Sequence, residues 1–166
     1  MILVVMGVSG SGKSTIAKTL ARKLKLKYVD ADAFHSEANI QKMSSGLPLT
    51  DQDREPWLGS IATAMKGWIA TDENVALACS ALKKQYREIL LVDKDNVRFI
   101  YLRGSFELFE SRMAKRTKHF MKSQMLKSQF EALEEPDDSE AIICDARKPV
   151  SEIVSSVISR LRGRTP

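Results

Sequence analysis

The chain has 166 residues, of which 43% are hydrophobic and 28% are charged, a length and composition typical of one soluble globular domain spanning residues 1–166. No apolar run approaches the ~20 residues that cross a bilayer, and no basic region precedes the first apolar run, so neither a membrane partner nor a signal peptide is expected. The two cysteines have neither disulfide nor metal-site spacing. We therefore expect a cytoplasmic location.

The formal net charge of +5 raises nucleic acid as a partner. The basic residues, however, cluster at two predicted helix ends, residues 22–27 and 160–164, where cations offset the helix dipole. Neither cluster contains interleaved aromatic residues on which bases stack. We therefore expect no nucleic-acid partner.

The first predicted elements are a strand at residues 2–6 and a helix that opens near Thr15, joined by a Gly-rich loop. The loop, Gly7-Val8-Ser9-Gly10-Ser11-Gly12-Lys13-Ser14, fits Gly-x4-Gly-Lys-[Ser/Thr] in full. In this context the glycines let backbone N–H groups surround a phosphate chain at a helix N-terminus. Lys13 would reach the β- and γ-phosphates, and the Ser14 hydroxyl would hold Mg²⁺. The sequence therefore predicts a nucleoside triphosphate site.

Two acidic residues, Asp30 and Asp32, follow the second predicted strand, residues 27–29. Beside a phosphate loop, one carboxylate could hold a Mg²⁺-bound water and the other could take the proton of an acceptor hydroxyl. We assign Asp30 to the metal and Asp32 to the acceptor, although the spacing alone permits the reverse. A pair of turn-forming acids is the structural alternative.

Three more strands are predicted, at residues 75–79, 97–102 and 141–144, and apolar residues at helical spacing separate them. Ser36 is a predicted N-cap, and the residues from Thr50 to Asp53 resemble a capping box. Five strands, each followed by a helix, predict a three-layer α/β fold in which helices cover both faces of a parallel sheet. Ligands of such sheets bind at the carboxyl ends of the strands.

The third predicted strand ends in Cys79 and Ser80 rather than in a carboxylate, which favours a small-molecule kinase over a motor or switch ATPase. Ser80, Lys83 and Arg87 then recur at the spacing of one helix face. A hydroxyl, an ammonium and a guanidinium on one face suit an anionic acceptor, since Arg can bind a carboxylate in two parallel hydrogen bonds. An amphipathic helix with a charged outer face explains the same residues equally well.

The apolar pattern breaks at residues 116–125, which indicates a mobile lid. Basic side chains in and near this segment could close over the phosphates, and one arginine could stabilise charge in the transition state. These side chains are Arg112, Arg116, Lys118, His119 and Lys122. A plain basic loop is the alternative.

Five blocks occur in order between about residues 6 and 136: MGVSGSGKS, DADAFH, GLPLTDQDREPWL, ACSALKKQYR and HFMKSQMLKSQFEALEEP. In these blocks the chain resembles the gluconokinases of the phosphate-loop kinase family. The resemblance implies transfer of the γ-phosphoryl group of ATP to the terminal hydroxyl of D-gluconate. It also implies the phosphate-loop NTPase fold with strand order 2-3-1-4-5 and, frequently, a homodimer.

The resemblance also implies roles for particular residues, matched position by position. The residues that bind ATP would be Gly7, Val8, Ser9, Gly10, Ser11, Gly12, Lys13, Ser14 and Thr15. Asp32 would meet the sugar acid, and Arg54, Lys83 and Arg87 are candidates for the acceptor. Residues 116–122 would belong to the lid. Within that lid we expect Arg116 to be a catalytic residue and His119 to bind the substrate.

Without the resemblance, the residues predict only a phosphate-loop kinase that acts on a small polar acceptor. A shikimate kinase or a nucleoside monophosphate kinase is the nearest alternative. A nucleotide-binding regulator that acts on no metabolite and a kinase of nucleic-acid ends are alternatives of other classes.

Overall fold

A computed structural model of the chain describes residues 1–116 and 121–163, without the side chains of residues 116 and 121–123. The elements in chain order are β1 Ile2–Met6, α1 Lys13–Leu24, β2 Lys27–Asp30, a 3₁₀ helix Ala31–Phe34, α2 Glu37–Ser44, α3 Asp51–Ala70, β3 Val75–Ala78, α4 Lys84–Leu90, β4 Val97–Arg103, α5 Phe106–Arg116, α6 Met121–Ala132, β5 Ala141–Asp145 and α7 Val150–Arg162. All five predicted strands are present, with ends that differ by at most one residue from the prediction.

The five strands form one parallel sheet in the order β2-β3-β1-β4-β5. This confirms the predicted fold class and strand order. The central strand, β1, is buried along its whole length, because parallel strands are covered by helices on both faces. β1 and β3 pair in register and end side by side, and the Gly7 N–H donates to Ser80 O just beyond them (3.3 Å).

Alternate residues of β1 point to two hydrophobic clusters on opposite faces of the sheet. Leu3 and Val5 belong to the cluster that contains apolar residues of α1 and α7. Ile2, Val4 and Met6 belong to the cluster that contains apolar residues of α3 and α4. The sheet is therefore the middle of three layers. None of the helices in the described part of the chain is long and apolar enough to cross a membrane.

The segment that follows β3 differs from the prediction. α4 begins only at Lys84, and Ala81 has a left-handed backbone with φ of 43°. Ser80 and Lys83 therefore precede the helix and do not share a helix face with Arg87, so that prediction was wrong. An irregular turn lies between strand and helix here, and the side-chain spacing alone does not reveal it.

The predicted lid segment, residues 116–125, is also partly helical. α5 continues to Arg116 and α6 begins at Met121, so the alternative of a plain loop over the whole segment was wrong. The apolar pattern missed the first turns of α6 because this helix buries little, with Leu126 its one fully buried described residue. Residues 117–120, which include Lys118 and His119, lie outside the described residues.

The start of α3 confirms the predicted capping box. The Thr50 hydroxyl accepts from the Asp53 N–H (3.2 Å), and the Asp53 carboxylate accepts from the Thr50 N–H (2.7 Å). Lys42 binds the same carboxylate at 2.6 Å and, with the Thr50 contacts, lowers the pKa of Asp53 to about 2. The cap fixes the first turn of α3, which carries Arg54 and leads directly into the turn that carries Trp57.

Candidate active site

The loop between β1 and α1 forms an anion cradle. Gly7, Gly10 and Gly12 all have positive φ, at 141°, 78° and 99°, the region in which residues with side chains are strained. A Cβ at Gly10 would also lie 2.9 Å from Phe109 O. Gly12 is the N-cap of α1 and has no side chain to offer the helix. The first N–H groups of α1 are therefore left for a bound anion.

Lys13 brings a cation to this cradle. Its Nζ donates to Val8 O at 2.9 Å, so the ammonium lies across the loop from which it starts. Burial lowers the pKa of Lys13, while the nearby Asp32, Cys79 and Asp30 act to raise it. An ammonium that has lost part of its hydration gains from an anion beside it, as the phosphates of a nucleotide would provide.

A cleft of about 320 Å³ opens beside the loop. Residues from several parts of the fold line it: the phosphate loop, the turn after β2, the start of α3 with the residues before it, and the end of β3. Residues of α6 line the remaining side. The lining residues are Ser9, Gly10, Lys13, Ser14, Asp30, Asp32, His35, Met43, Pro48, Leu49, Arg54, Trp57, Ala78, Cys79, Ser80, Met125, Ser128 and Gln129. The cleft thus lies at the carboxyl ends of the strands, as predicted.

The two aspartates differ in how they are held. Both carboxylate oxygens of Asp30 are engaged, one by the Asp32 N–H (3.1 Å) and the other by the Tyr28 hydroxyl (2.9 Å). The Asp32 side chain is 86% exposed, although its residue also lines the cleft. Asp30 is therefore fixed as the cap of the 3₁₀ helix, whereas the exposed Asp32, whose Oδ1 lies 4.0 Å from His35 Nε2, can meet a second substrate.

His35 is a site residue that the sequence did not reveal. Its ring stacks on the Trp57 indole with centroids 4.5 Å apart and planes 9° apart, and Trp57 Nε1 donates to Ala31 O at 2.8 Å. Among the described residues, the buried His35 Nδ1 has no hydrogen-bond partner. Burial lowers the pKa of His35, with Asp32 opposing this shift and Arg54 adding to it. The neutral imidazole is therefore favoured, and its unpaired nitrogen suits a hydroxyl.

Arg54 lies in the cleft, as expected. Its Nη1 donates to Leu49 O at 2.5 Å, and its guanidinium lies 5.9 Å from the centroid of the Tyr86 ring. Leu49 and Arg54 both line the cleft. The guanidinium keeps further donors for an anion, since an arginine has five N–H groups.

Lys83 lies beside the cleft but does not line it. Its Nζ donates to both carboxylate oxygens of Asp51, at 2.9 and 2.8 Å. The Tyr86 hydroxyl donates to the same carboxylate, and Lys83 and Tyr86 together lower the pKa of Asp51. Lys83 thus joins the start of α3 to the turn after β3, and its charge is already paired.

The structure does not bring Arg87 into the cleft. The residue is only 4% exposed, and its guanidinium donates to Leu82 O (3.2 Å), Glu134 O (2.9 Å) and the Glu140 carboxylate (3.0 Å). It lines a separate cavity of about 550 Å³. Arg87 holds the backbone around α4, and its predicted contact with the acceptor is not supported by this position.

The predicted lid residues give a mixed result. The guanidinium of Arg112 donates to Ala146 O at 2.7 Å, so it contacts the turn after β5. The side chains of Arg116, Lys118, His119 and Lys122 lie outside the described residues. Three other residues of α6 line the cleft instead: Met125, Ser128 and Gln129. The sequence did not predict them, because it shows no regular helical pattern before Phe130.

The fold and site together define a phosphate-loop kinase. A parallel sheet carries a complete phosphate loop after its first strand, and an acidic pair follows the second strand, two positions away in the sheet, in the same cleft. The family profile described as shikimate kinase matches residues 9–162, which is nearly the whole chain. Phosphate-loop kinases use a nucleotide as the phosphate donor.

Comparison with similar proteins identifies the kind of phosphate-loop kinase. The thermoresistant gluconokinase of Escherichia coli K12 is 44% identical over 163 residues, which cover 97% of this chain and 93% of that protein. A probable gluconokinase of Rattus norvegicus is 43% identical, with 97% of both chains covered. The crystal structure of a gluconokinase from Sinorhizobium meliloti 1021 superposes with a TM-score of 0.85 at 40% identity, covering 96% of this chain and 91% of that one. The chain belongs to the gluconokinase family.

The placement of Arg87 gives a first prediction. Arg87→Met removes a partly buried ion pair and three hydrogen bonds to backbone oxygens, and should lower the free energy of unfolding by about 3 kcal/mol, the lower end of the range for a broken buried pair. In the folded protein, KM for the second substrate should stay within about twofold of the parent, since Arg87 lies outside the cleft. Urea unfolding and steady-state kinetics measure the two effects.

Arg54→Met is the matched control. Because Arg54 lines the cleft, its loss should raise KM for the second substrate at least about tenfold, with a smaller loss of stability. An Arg87→Met protein that is as stable as the parent but has a KM raised like that of Arg54→Met would contradict this placement.

Proposed function

We propose that the protein transfers the γ-phosphoryl group of ATP to the terminal hydroxyl of D-gluconate and releases 6-phospho-D-gluconate and ADP. The observation that carries this proposal is a cleft in which the Lys13 ammonium, the exposed Asp32 carboxylate and the Arg54 guanidinium come together. Gluconate, an anion with a terminal hydroxyl, matches the last two groups. The relatives named gluconokinase, two of which are 44% and 43% identical to this chain over the aligned residues, support the choice of acceptor.

The nucleotide half of the cleft suits ATP. The N–H groups at the start of α1 would surround its phosphates, and Lys13 would exchange its contact with Val8 O for the phosphate oxygens. Mg²⁺ would be held by Ser14 and Asp30, and would neutralise charge on the phosphates. The donor set fits, because Mg²⁺ in kinases takes few protein oxygens besides those of the nucleotide. Among the described residues, no group of three or more His, Cys, Asp or Glu could hold a metal by itself.

The acceptor half of the cleft suits gluconate. Arg54 and Lys13 are the two cations that line it in the described part of the chain, and Lys13 serves the nucleotide. Arg54 is therefore left for the gluconate carboxylate. His35 Nδ1 offers a hydrogen bond to one of the inner hydroxyls of gluconate, and Asp32 meets the terminal hydroxyl of gluconate.

The transfer needs one bond to form and one to break. The bond between the terminal oxygen of gluconate and the γ-phosphorus forms while the bond to the β–γ bridging oxygen breaks, and the electron pair leaves with ADP. The hydroxyl proton passes to Asp32, which orients the hydroxyl throughout. Lys13 neutralises charge on the transferring group. We also propose that Arg116 adds a second cation there and that His119 contacts gluconate once the lid closes.

Further expectations accompany this function. We propose that the protein works in the cytoplasm, where ATP is available, and that it forms a homodimer. We propose no nucleic-acid or membrane partner, because every feature of the cleft is explained by small substrates.

A panel of acceptors tests the proposed reaction. ADP release, coupled to an optical signal, would be measured with gluconate, glucose, shikimate, a nucleoside monophosphate and an oligonucleotide with a 5′-hydroxyl. Gluconate should be used well and glucose very poorly, because a site built to pair with polar groups rejects a substrate that lacks one by about 10⁴-fold or more. Equal use of glucose or better use of shikimate would overturn the assignment.

The two aspartates give a matched pair of variants. Asp32→Asn keeps the shape of the side chain but removes the proton acceptor, so kcat should fall about 10²-fold or more while ATP binding stays within a few-fold of the parent. Asp30→Asn should act through Mg²⁺, and added Mg²⁺ should partly restore its activity. Turnover at several Mg²⁺ concentrations, with ATP affinity measured separately, distinguishes the two roles.

Two outcomes would contradict these roles. Rescue of Asp32→Asn by Mg²⁺, without rescue of Asp30→Asn, would mean that the assignments are reversed. Normal turnover of both variants would mean that the acidic pair only shapes the turn.

A further inference from the structure

A side chain of α6 contacts the phosphate loop directly. The backbone N–H of Ser9 donates to Gln129 Oε1 at 2.6 Å, across 120 residues of sequence. Ser9 and Gln129 both line the cleft, together with Lys13 and Asp32. This glutamine therefore lies where the nucleotide and the acceptor must meet.

The packing of α6 holds Gln129 in this position. The next residue, Phe130, contacts Phe106 edge-on (5.6 Å between centroids) and Phe109 at 6.1 Å, both on α5. One turn earlier, Leu126 is fully buried in the core. Gln129 is therefore presented to the loop by a docked helix, so the contact does not depend on a flexible chain end.

The contact with Ser9 also fixes the orientation of the Gln129 side-chain amide. A carboxamide has one acceptor end and one donor end. Because the Ser9 N–H can only donate, the oxygen of Gln129 must face it, and the NH₂ group is turned away from Ser9. A donor of fixed orientation is what an anionic oxygen in the cleft requires, and it needs no reorganisation during the reaction.

We propose that Gln129 is a further catalytic residue, whose side-chain NH₂ donates a hydrogen bond to the γ-phosphoryl group while that group is transferred. The amide loses no proton and forms no covalent bond, since it acts only on the charge of the phosphoryl oxygens. The contact with Ser9 positions it before the substrates bind. This inference rests on the proposed function only in taking ATP as the phosphate donor.

The substitution Gln129→Glu tests the proposal with little change of shape. A carboxylate still accepts from the Ser9 N–H, so the contact between α6 and the loop is kept, but it has no N–H to donate and repels the γ-phosphate. ADP affinity should stay within about threefold of the parent, whereas ATP affinity should fall about tenfold or more. The kcat should fall about 10²-fold, as for other lost donors to a transition-state charge.

Gln41→Glu is the matched control, because Gln41 is an exposed residue of α2, lies outside the lid segment and does not line the cleft. It adds the same charge and should change neither affinity nor kcat. Isothermal titration with ADP and with a non-hydrolysable ATP analogue measures binding without any acceptor. This binding result therefore stands or fails independently of gluconate.

Two results would overturn the proposal. Equal weakening of ADP and ATP binding by Gln129→Glu, with normal kcat, would show that Gln129 only joins α6 to the loop. An equal effect of Gln41→Glu would show that the added charge acts from a distance. Circular dichroism and the unfolding midpoint establish that each variant is folded.

Discussion

The position of one ammonium group, that of Lys13, is the constraint on which the site depends. Its nitrogen lies near two carboxylates and has lost part of its hydration, and the loop that carries it also holds it, through Val8 O. Such a cation is costly without an anion and effective with one. The chain therefore needs a rigid strand before the loop and a helix after it, which β1 and α1 supply.

The strand order places the acceptor groups opposite this cation. β1 is adjacent to β3, and β3 is adjacent to β2, so the turn after β2 carries Asp30 and Asp32 to the same edge of the sheet. α3 returns over this edge, where its capped first turn carries Arg54 into the cleft and its second turn stacks Trp57 on His35. Arg87 stabilises the neighbouring turn through backbone carbonyls. Residues far apart in sequence thus form one cleft because parallel strands end together.

Much of this arrangement was predictable from sequence, for physical reasons. The phosphate loop is a local motif, and apolar strands buried on both faces are distinct in a sequence, so the cation and the parallel sheet could be predicted from the residues. The strand order came from the resemblance to the gluconokinases. The predicted position of Arg87 in the acceptor site was wrong because it assumed an unbroken helix from Ser80, whereas Ala81 adopts a left-handed backbone. His35 and Gln129 were missed because their importance comes from burial against Trp57 and from a contact made across the fold. Neither has a signature in the spacing of residues.

The central claim is that this cleft directs the γ-phosphoryl group to the terminal hydroxyl of a sugar acid. The most direct test is the structure of the product formed from ATP and ¹³C-labelled gluconate, determined by ³¹P–¹H and ¹³C correlation NMR. We expect a single phosphomonoester whose phosphorus couples to the terminal methylene protons. A phosphate on any other carbon, or release of inorganic phosphate alone, would contradict it.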